Sequence, residues 1–171
     1  IDVMCANINT NIAAGDTYVS IENLIGSQGS DNLRGTTGAN RIEGMANVDY
    51  VFGRAGNDTL DGGIDTDQLY ASGALPFTVS TTRLEGVGRA TLSNIEEAHL
   101  VGGPENNVYD ASAFGSAITL VGAVTLEGGA GNDTLIGGNG ADVMRGDAGN
   151  DLLDFSSDDG DLANGGSGID Q

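Results

Sequence analysis

Residues 26–70 read GSQGSDNLR, GTTGANRIE, GMANVDYVF, GRAGNDTLD, GGIDTDQLY: rows of nine that follow one another without an insertion. Position one is always glycine, at Gly26, Gly35, Gly44, Gly53 and Gly62. Position four is glycine in three rows, with Asn47 and Asp65 in the other two. Position six is Asp31, Asn40, Asp49, Asp58 and Asp67, and position eight is Leu33, Ile42, Val51, Leu60 and Leu69. A fixed internal period marks a solenoid, whose units bury their apolar faces only against one another.

The period returns as GGAGNDTLI, GGNGADVMR and GDAGNDLLD, from Gly128 to Asp154. Its sixth positions are Asp133, Asp142 and Asp151; its eighth are Leu135, Met144 and Leu153. After the degenerate stretch FSSDDGDLAN, one more row opens at Gly165 and carries Asp170 at position six before the chain stops partway through it, so the chain reads as an excised fragment. A decayed row, GGPENNVYD, occupies 102–110 with Asn107 and Tyr109 in the same places. From Gly102 to Gly128 is 26 residues, one short of three rows, which predicts a register slip or bulge between Ala111 and Glu127. Residues 71–101 lose the period. Short strands are expected there at Phe77–Ser80, Ala90–Leu92 and His99–Val101, broken by Pro76 and by a turn at Gly86–Gly88. The phrase Leu92-Ser93-Asn94-Ile95-Glu96 echoes Val19-Ser20-Ile21-Glu22-Asn23 ahead of the first run. The organisation read from the chain is therefore an entry segment (1–25), a first repeat block (26–70), an irregular β segment (71–127) and a second repeat block (128–171). No stretch has helical periodicity.

Composition narrows the chemistry. Glycine makes up 29 of 171 residues, aromatic residues only 5%, and there is no Trp. Such a chain orders its backbone at high entropic cost and has little bulk to bury in return. Twenty-five acidic residues face six basic ones, giving a net charge of -19. Nucleic acid is excluded as a partner, because there is no basic surface to displace counterions from phosphates. Cys5 has no second cysteine to pair with, and no apolar run is long enough to span a membrane.

The two halves of a row do different work. Gly, Asn and Asp in the first six positions tolerate tight turns, and the last three suit a very short strand whose middle side chain points inward. Two rows make one coil, coils stack as parallel sheets, and position eight forms a thin core. One apolar residue in nine is too little to hold such a structure, so a staple is required. Calcium takes six to eight oxygens from carboxylates and backbone carbonyls, which is what a glycine-rich turn ending in Asp offers. Same-edge turns belong to alternate rows. The expected pairs are Asp31 with Asp49, Asn40 with Asp58, Asp49 with Asp67, Asp133 with Asp151, and Asp151 with Asp170. Asp142 would draw on Asp158, Asp159 or Asp161. Asn40 keeps an oxygen and loses the charge, so its site is expected to be weaker.

The consensus G-G-x-G-x-D-x-U-x, with U a large aliphatic, resembles the RTX (repeats-in-toxin, hemolysin-type) calcium-binding nonapeptide family. That resemblance implies an all-β fold, a right-handed parallel β-roll or β-helix solenoid that is unfolded without Ca²⁺ and orders after export. It further implies type I secretion and a secreted or cell-surface bacterial protein, of which this chain would be a folding and secretion spacer. The second implied role is the accessory repeat domain of a secreted protease, lipase or alginate epimerase, where it would hold polysaccharide or support flanking domains. Chemistry of its own is not expected. There is no H-E-x-x-H helix and no G-x-S-x-G elbow. His99 reads as a surface or packing residue, and the sequons at Asn57 and Asn132 fall inside metal loops. Tyr18, Tyr50, Tyr70 and Tyr109 suggest no stacking platform for sugars.

Overall fold

Alternation between turn-forming and strand-forming thirds makes every described element a strand. The computed structural model describes residues 22–86, 88–115, 122–155 and 160–171, so the entry segment before Glu22 lies outside it. The strands are β1 (Asn23–Ile25), β2 (Asn32–Arg34), β3 (Arg41–Ala46), β4 (Tyr50–Phe52), β5 (Gly56–Ile64), β6 (Gln68–Ser72), β7 (Phe77–Ser80) and β8 (Arg83–Glu85). They continue as β9 (Gly88–Ser93), β10 (Glu97–Val101), β11 (Val108–Ala113), β12 (Ala123–Glu127), β13 (Thr134–Ile136), β14 (Val143–Arg145), β15 (Leu152–Asp154) and β16 (Leu162–Asn164).

The fold is an all-β solenoid of two facing sheets. One sheet has seven parallel strands in the order β16-β14-β12-β10-β6-β4-β2; the other has nine, β1-β3-β5-β9-β8-β7-β11-β13-β15. In the repeats the chain crosses between sheets at every turn, so one coil is two rows. Leu33 lies beside Val51, and Ile42 beside Leu60. Position eight points inward as expected: Leu33, Ile42, Val51, Leu60, Leu69, Leu135 and Met144 have no solvent exposure.

Between the blocks the solenoid continues, with one interruption. After β6 the chain overshoots to β7, doubles back through β8, and reaches β9 beside β5. The β7–β8 and β8–β9 pairings are antiparallel, whereas β5–β9 is parallel. The strands expected at Phe77–Ser80, Ala90–Leu92 and His99–Val101 are present; β8 is an addition. The 26-residue spacing proves to be one enlarged coil in place of three short rows, since Val108 pairs directly with Thr134. The expected irregularity falls in β11, between Asp110 and Ala113 against β7. On the seven-stranded sheet the interior column also steps by two residues. Leu69 lies beside Ala98 and Val124, whereas Met144 lies beside Leu126 and Leu100.

Candidate metal centres

Each edge of the solenoid is a stack of turns, and position six closes every turn. Its backbone N–H donates to the Oδ1 of the acid one coil further on. The links are Asp31 to Asp49 (2.7 Å), Asn40 to Asp58 (2.9 Å), Asp49 to Asp67 (2.8 Å), Asp133 to Asp151 (2.8 Å) and Asp151 to Asp170 (3.1 Å). The structure thus brings together all five pairs expected from spacing. Asp142 donates to Asp161 Oδ1 at 2.9 Å; the other two candidates, Asp158 and Asp159, lie outside the described residues. Sequence reasoning missed Glu96. Its Oε2 accepts the Asp67 N–H at 3.0 Å and so takes the place of the next acid on that edge, 29 residues along. The echoed phrase ending in Glu96 was the available signal, but the hairpin hid its register.

The second carboxylate oxygen divides the rows into two kinds. In one kind it is capped by the backbone N–H of position two. Ser27 donates to Asp31 Oδ2 (2.6 Å), Thr36 to Asn40 Oδ1 (2.7 Å), Gly103 to Asn107 Oδ1 (3.2 Å) and Gly138 to Asp142 Oδ2 (2.7 Å). In the other kind it has no partner. Oδ2 of Asp49, Asp67, Asp133 and Asp151 is buried with no hydrogen bond, and these residues are at most 2% exposed. Backbone conformation separates the two. Position two is left-handed at Met45 (φ 94°), Gly63 (112°), Gly129 (98°) and Asp147 (68°), ahead of the four unpartnered acids. None of the four capping residues has a positive φ.

A dry, unpartnered carboxylate oxygen is costly unless a cation meets it. Burial pushes the Asp49 and Asp133 carboxyls above their ordinary value and raises Asp58 and Asp67 to about 6, against the opposing pull of the N–H each accepts. Backbone oxygen is close by. At Gly44 a Cβ would run into both Asp49 Oδ2 and the Gly62 carbonyl oxygen. The same cradle holds Asp67 Oδ2 and the Asn94 carbonyl at Gly62, Asp133 Oδ2 and the Gly146 carbonyl at Gly128, and Asp151 Oδ2 and the Gly165 carbonyl at Gly146. This explains glycine at position one: any side chain would fill the cradle. Among the described residues, no three His, Cys, Asp or Glu side chains converge. The donors are single carboxylates plus carbonyls, all oxygen, and this set fits Ca²⁺.

The family model of the RTX calcium-binding nonapeptide repeat matches residues 25–60, 46–73 and 125–153, in four copies. The chain carries RTX repeats. No curated protein matches it. RTX repeats bind calcium, so the molecule is a calcium-binding repeat module, and the family's role is structural. No helix among the described residues is long and apolar enough to cross a membrane.

Two further features accompany the RTX turns. The outer face of the seven-stranded sheet carries a stripe of stacked rings: Arg34 lies 4.5 Å over Phe52, Phe52 is 4.8 Å from Tyr70, and Tyr70 meets His99 edge-on at 5.1 Å. His99 is thus a surface packing residue, and Tyr70 does belong to a row of rings, one that its Phe and His neighbours concealed in the sequence. Where the hairpin interrupts the coils, a cavity of about 560 Å³ opens, lined by Arg34, Phe52, Arg54, Asp58, Tyr70 and Arg89 among others.

Proposed function

We propose that this RTX module folds on binding Ca²⁺ after export and serves as a structural and secretion spacer within a larger secreted or surface-exposed bacterial protein. The four dry, unpartnered carboxylate oxygens carry this reading. A chain of net charge -19 cannot keep them buried at neutral pH without a counter-cation. Residues 26–70 and 128–171 are the two calcium-dependent blocks, joined through 71–127. Binding energy is then folding energy, and export from a calcium-poor to a calcium-rich compartment would drive the chain in one direction. The test is far-UV circular dichroism of the chain in chelator and across a calcium titration. The expected result is a coil-like spectrum that gains β signal cooperatively, with half-saturation at about 10⁻⁴ to 10⁻³ M and poor substitution by Mg²⁺. A spectrum that chelator leaves unchanged would remove the reading.

The arginine-lined cavity favours a second reading, an accessory domain of a secreted enzyme that holds an acidic polysaccharide. Arg34, Arg54 and Arg89 are half of the chain's six basic residues, and Phe52 and Tyr70 offer ring faces beside them. Saturable binding of a polyuronate in calcium, weakened by Arg89→Ala, would support it.

A further inference from the structure

The RTX consensus treats every row with Asp at position six as a metal loop, and the geometry does not. We propose that the backbone conformation of position two selects which rows hold calcium: a left-handed row whose freed carboxylate oxygen is buried beside a carbonyl of the next coil takes an ion, and a row that caps its own acid takes none. The inference rests on the calcium reading and adds which carboxylates serve it.

In a capped row the oxygen that would face an ion already accepts a backbone N–H, and Asp142 has both oxygens so engaged, by Val124 N–H at 2.9 Å and Gly138 N–H at 2.7 Å. The capping N–H also aims its positive end at the place an ion would occupy. In a left-handed row that N–H is turned away, and the freed Oδ2 stands in a cradle with a carbonyl oxygen of the next coil. Four rows have the left-handed second residue together with such a carbonyl, and their acids, Asp49, Asp67, Asp133 and Asp151, are the four with an orphaned oxygen. Asp58 shows that both conditions count. Arg54 before it is left-handed (φ 67°), but the three atoms nearest a Cβ on Gly53 belong to the Asp58 and Leu60 side chains rather than to a carbonyl of a following coil, and the cavity opens there.

The proposal departs from the consensus in both directions. Row 137–145, GGNGADVMR, has glycine at positions one, two and four, yet Gly138 caps Asp142. Row 44–52, GMANVDYVF, has neither the second nor the fourth glycine, yet Met45 and Asn47 are left-handed (φ 94° and 66°) and Asp49 is uncapped. The ions also change edge. Asp49 and Asp67 sit on the turns that lead into the seven-stranded sheet, whereas Asp133 and Asp151 sit on the opposite turns.

The experiment counts calcium ions on the full chain by native mass spectrometry, with circular dichroism on the same samples. Asp49→Asn and Asp151→Asn are each expected to lower the count by at least one. Asp31→Asn and Asp142→Asn are expected to fold and keep the parent count, since Asn40 and Asn107 already show an amide oxygen filling the cap. Loss of an ion from Asp142→Asn or Asp31→Asn overturns the proposal, as does an undiminished count in folded Asp49→Asn. If Asp49→Asn fails to fold, the two capped-row variants decide alone. A parent chain that binds no calcium removes the functional reading itself, a result distinct from either.

Discussion

The repeat blocks and the stretch between them solve the same problem with different materials. Among the described residues, 71–127 hold 14 of the 22 buried apolar side chains, including Phe77, Ile95, Leu100, Tyr109 and Phe114. The blocks hold the six buried aspartates of the described residues, Asp49, Asp58, Asp67, Asp133, Asp142 and Asp151, with about one buried aliphatic per row. In the middle, Tyr109 packs 5.3 Å from Phe77 and donates its hydroxyl to the Gly73 carbonyl oxygen at 3.1 Å. In the blocks, four carboxylate oxygens are left for something outside the chain. On the proposed reading, one backbone design, stacked parallel coils, is held by hydrophobic burial at the centre and by calcium towards both ends.

Chelation should expose that difference most strongly. As chelator withdraws calcium stepwise, amide hydrogen exchange is expected to lose protection throughout β2–β4 and β13–β15 before β7–β12. Uniform loss, or uniform retention, would dissolve the contrast. Next in size is a core deletion. Leu100→Ala should cost about 2–5 kcal/mol in denaturant unfolding, by the transfer and cavity terms of a buried leucine, and by the same amount at saturating and at limiting calcium. A cost that grows with calcium would mean the middle is coupled to metal after all.

Smaller is the contrast between acids of the two kinds. Asp151→Ala should raise the calcium midpoint about ten-fold, about 1.4 kcal/mol, whereas Asp31→Ala should shift it less than about two-fold, having lost only an exposed turn. Equal shifts would erase the distinction between capped and uncapped rows. The pH response sharpens the comparison further. Asp58 and Asp67 rise from 3.8 to about 6 in the folded chain, chiefly through burial. Between those values the metal-free folded chain binds more protons than the unfolded one. Its stability is therefore full below about pH 4 and lost as pH rises through about 6. Calcium should reverse the Asp67 contribution, because there protons compete with the ion for the same oxygens. Circular dichroism against pH, with chelator and with calcium, checks the sign; parallel profiles would contradict it.

Much of this was legible without coordinates. The nine-residue period placed position one at the turns and position eight in the core, and the 18-residue coil followed from two rows. The five acid pairs followed too, because a strict repeat converts sequence distance directly into stacking distance. Where the period failed, so did legibility. The overshoot to β7, the return through β8 and the place of Glu96 depend on which strand edge the chain meets after leaving β6. Local sequence carries no record of that choice.

What the sequence alone determined was an all-β solenoid of calcium-binding repeats, since glycine and aspartate at fixed places and one aliphatic in nine set the turns and the thin core. What only the tertiary structure decided was the state of each turn. Gly138 caps its acid and Met45 does not, against the preference of either residue, because a turn's φ is set by the coils stacked above and below it. Propensity is a local quantity worth about 1 kcal/mol, and it yields where neighbouring coils dictate which carbonyl and which N–H face the carboxylate.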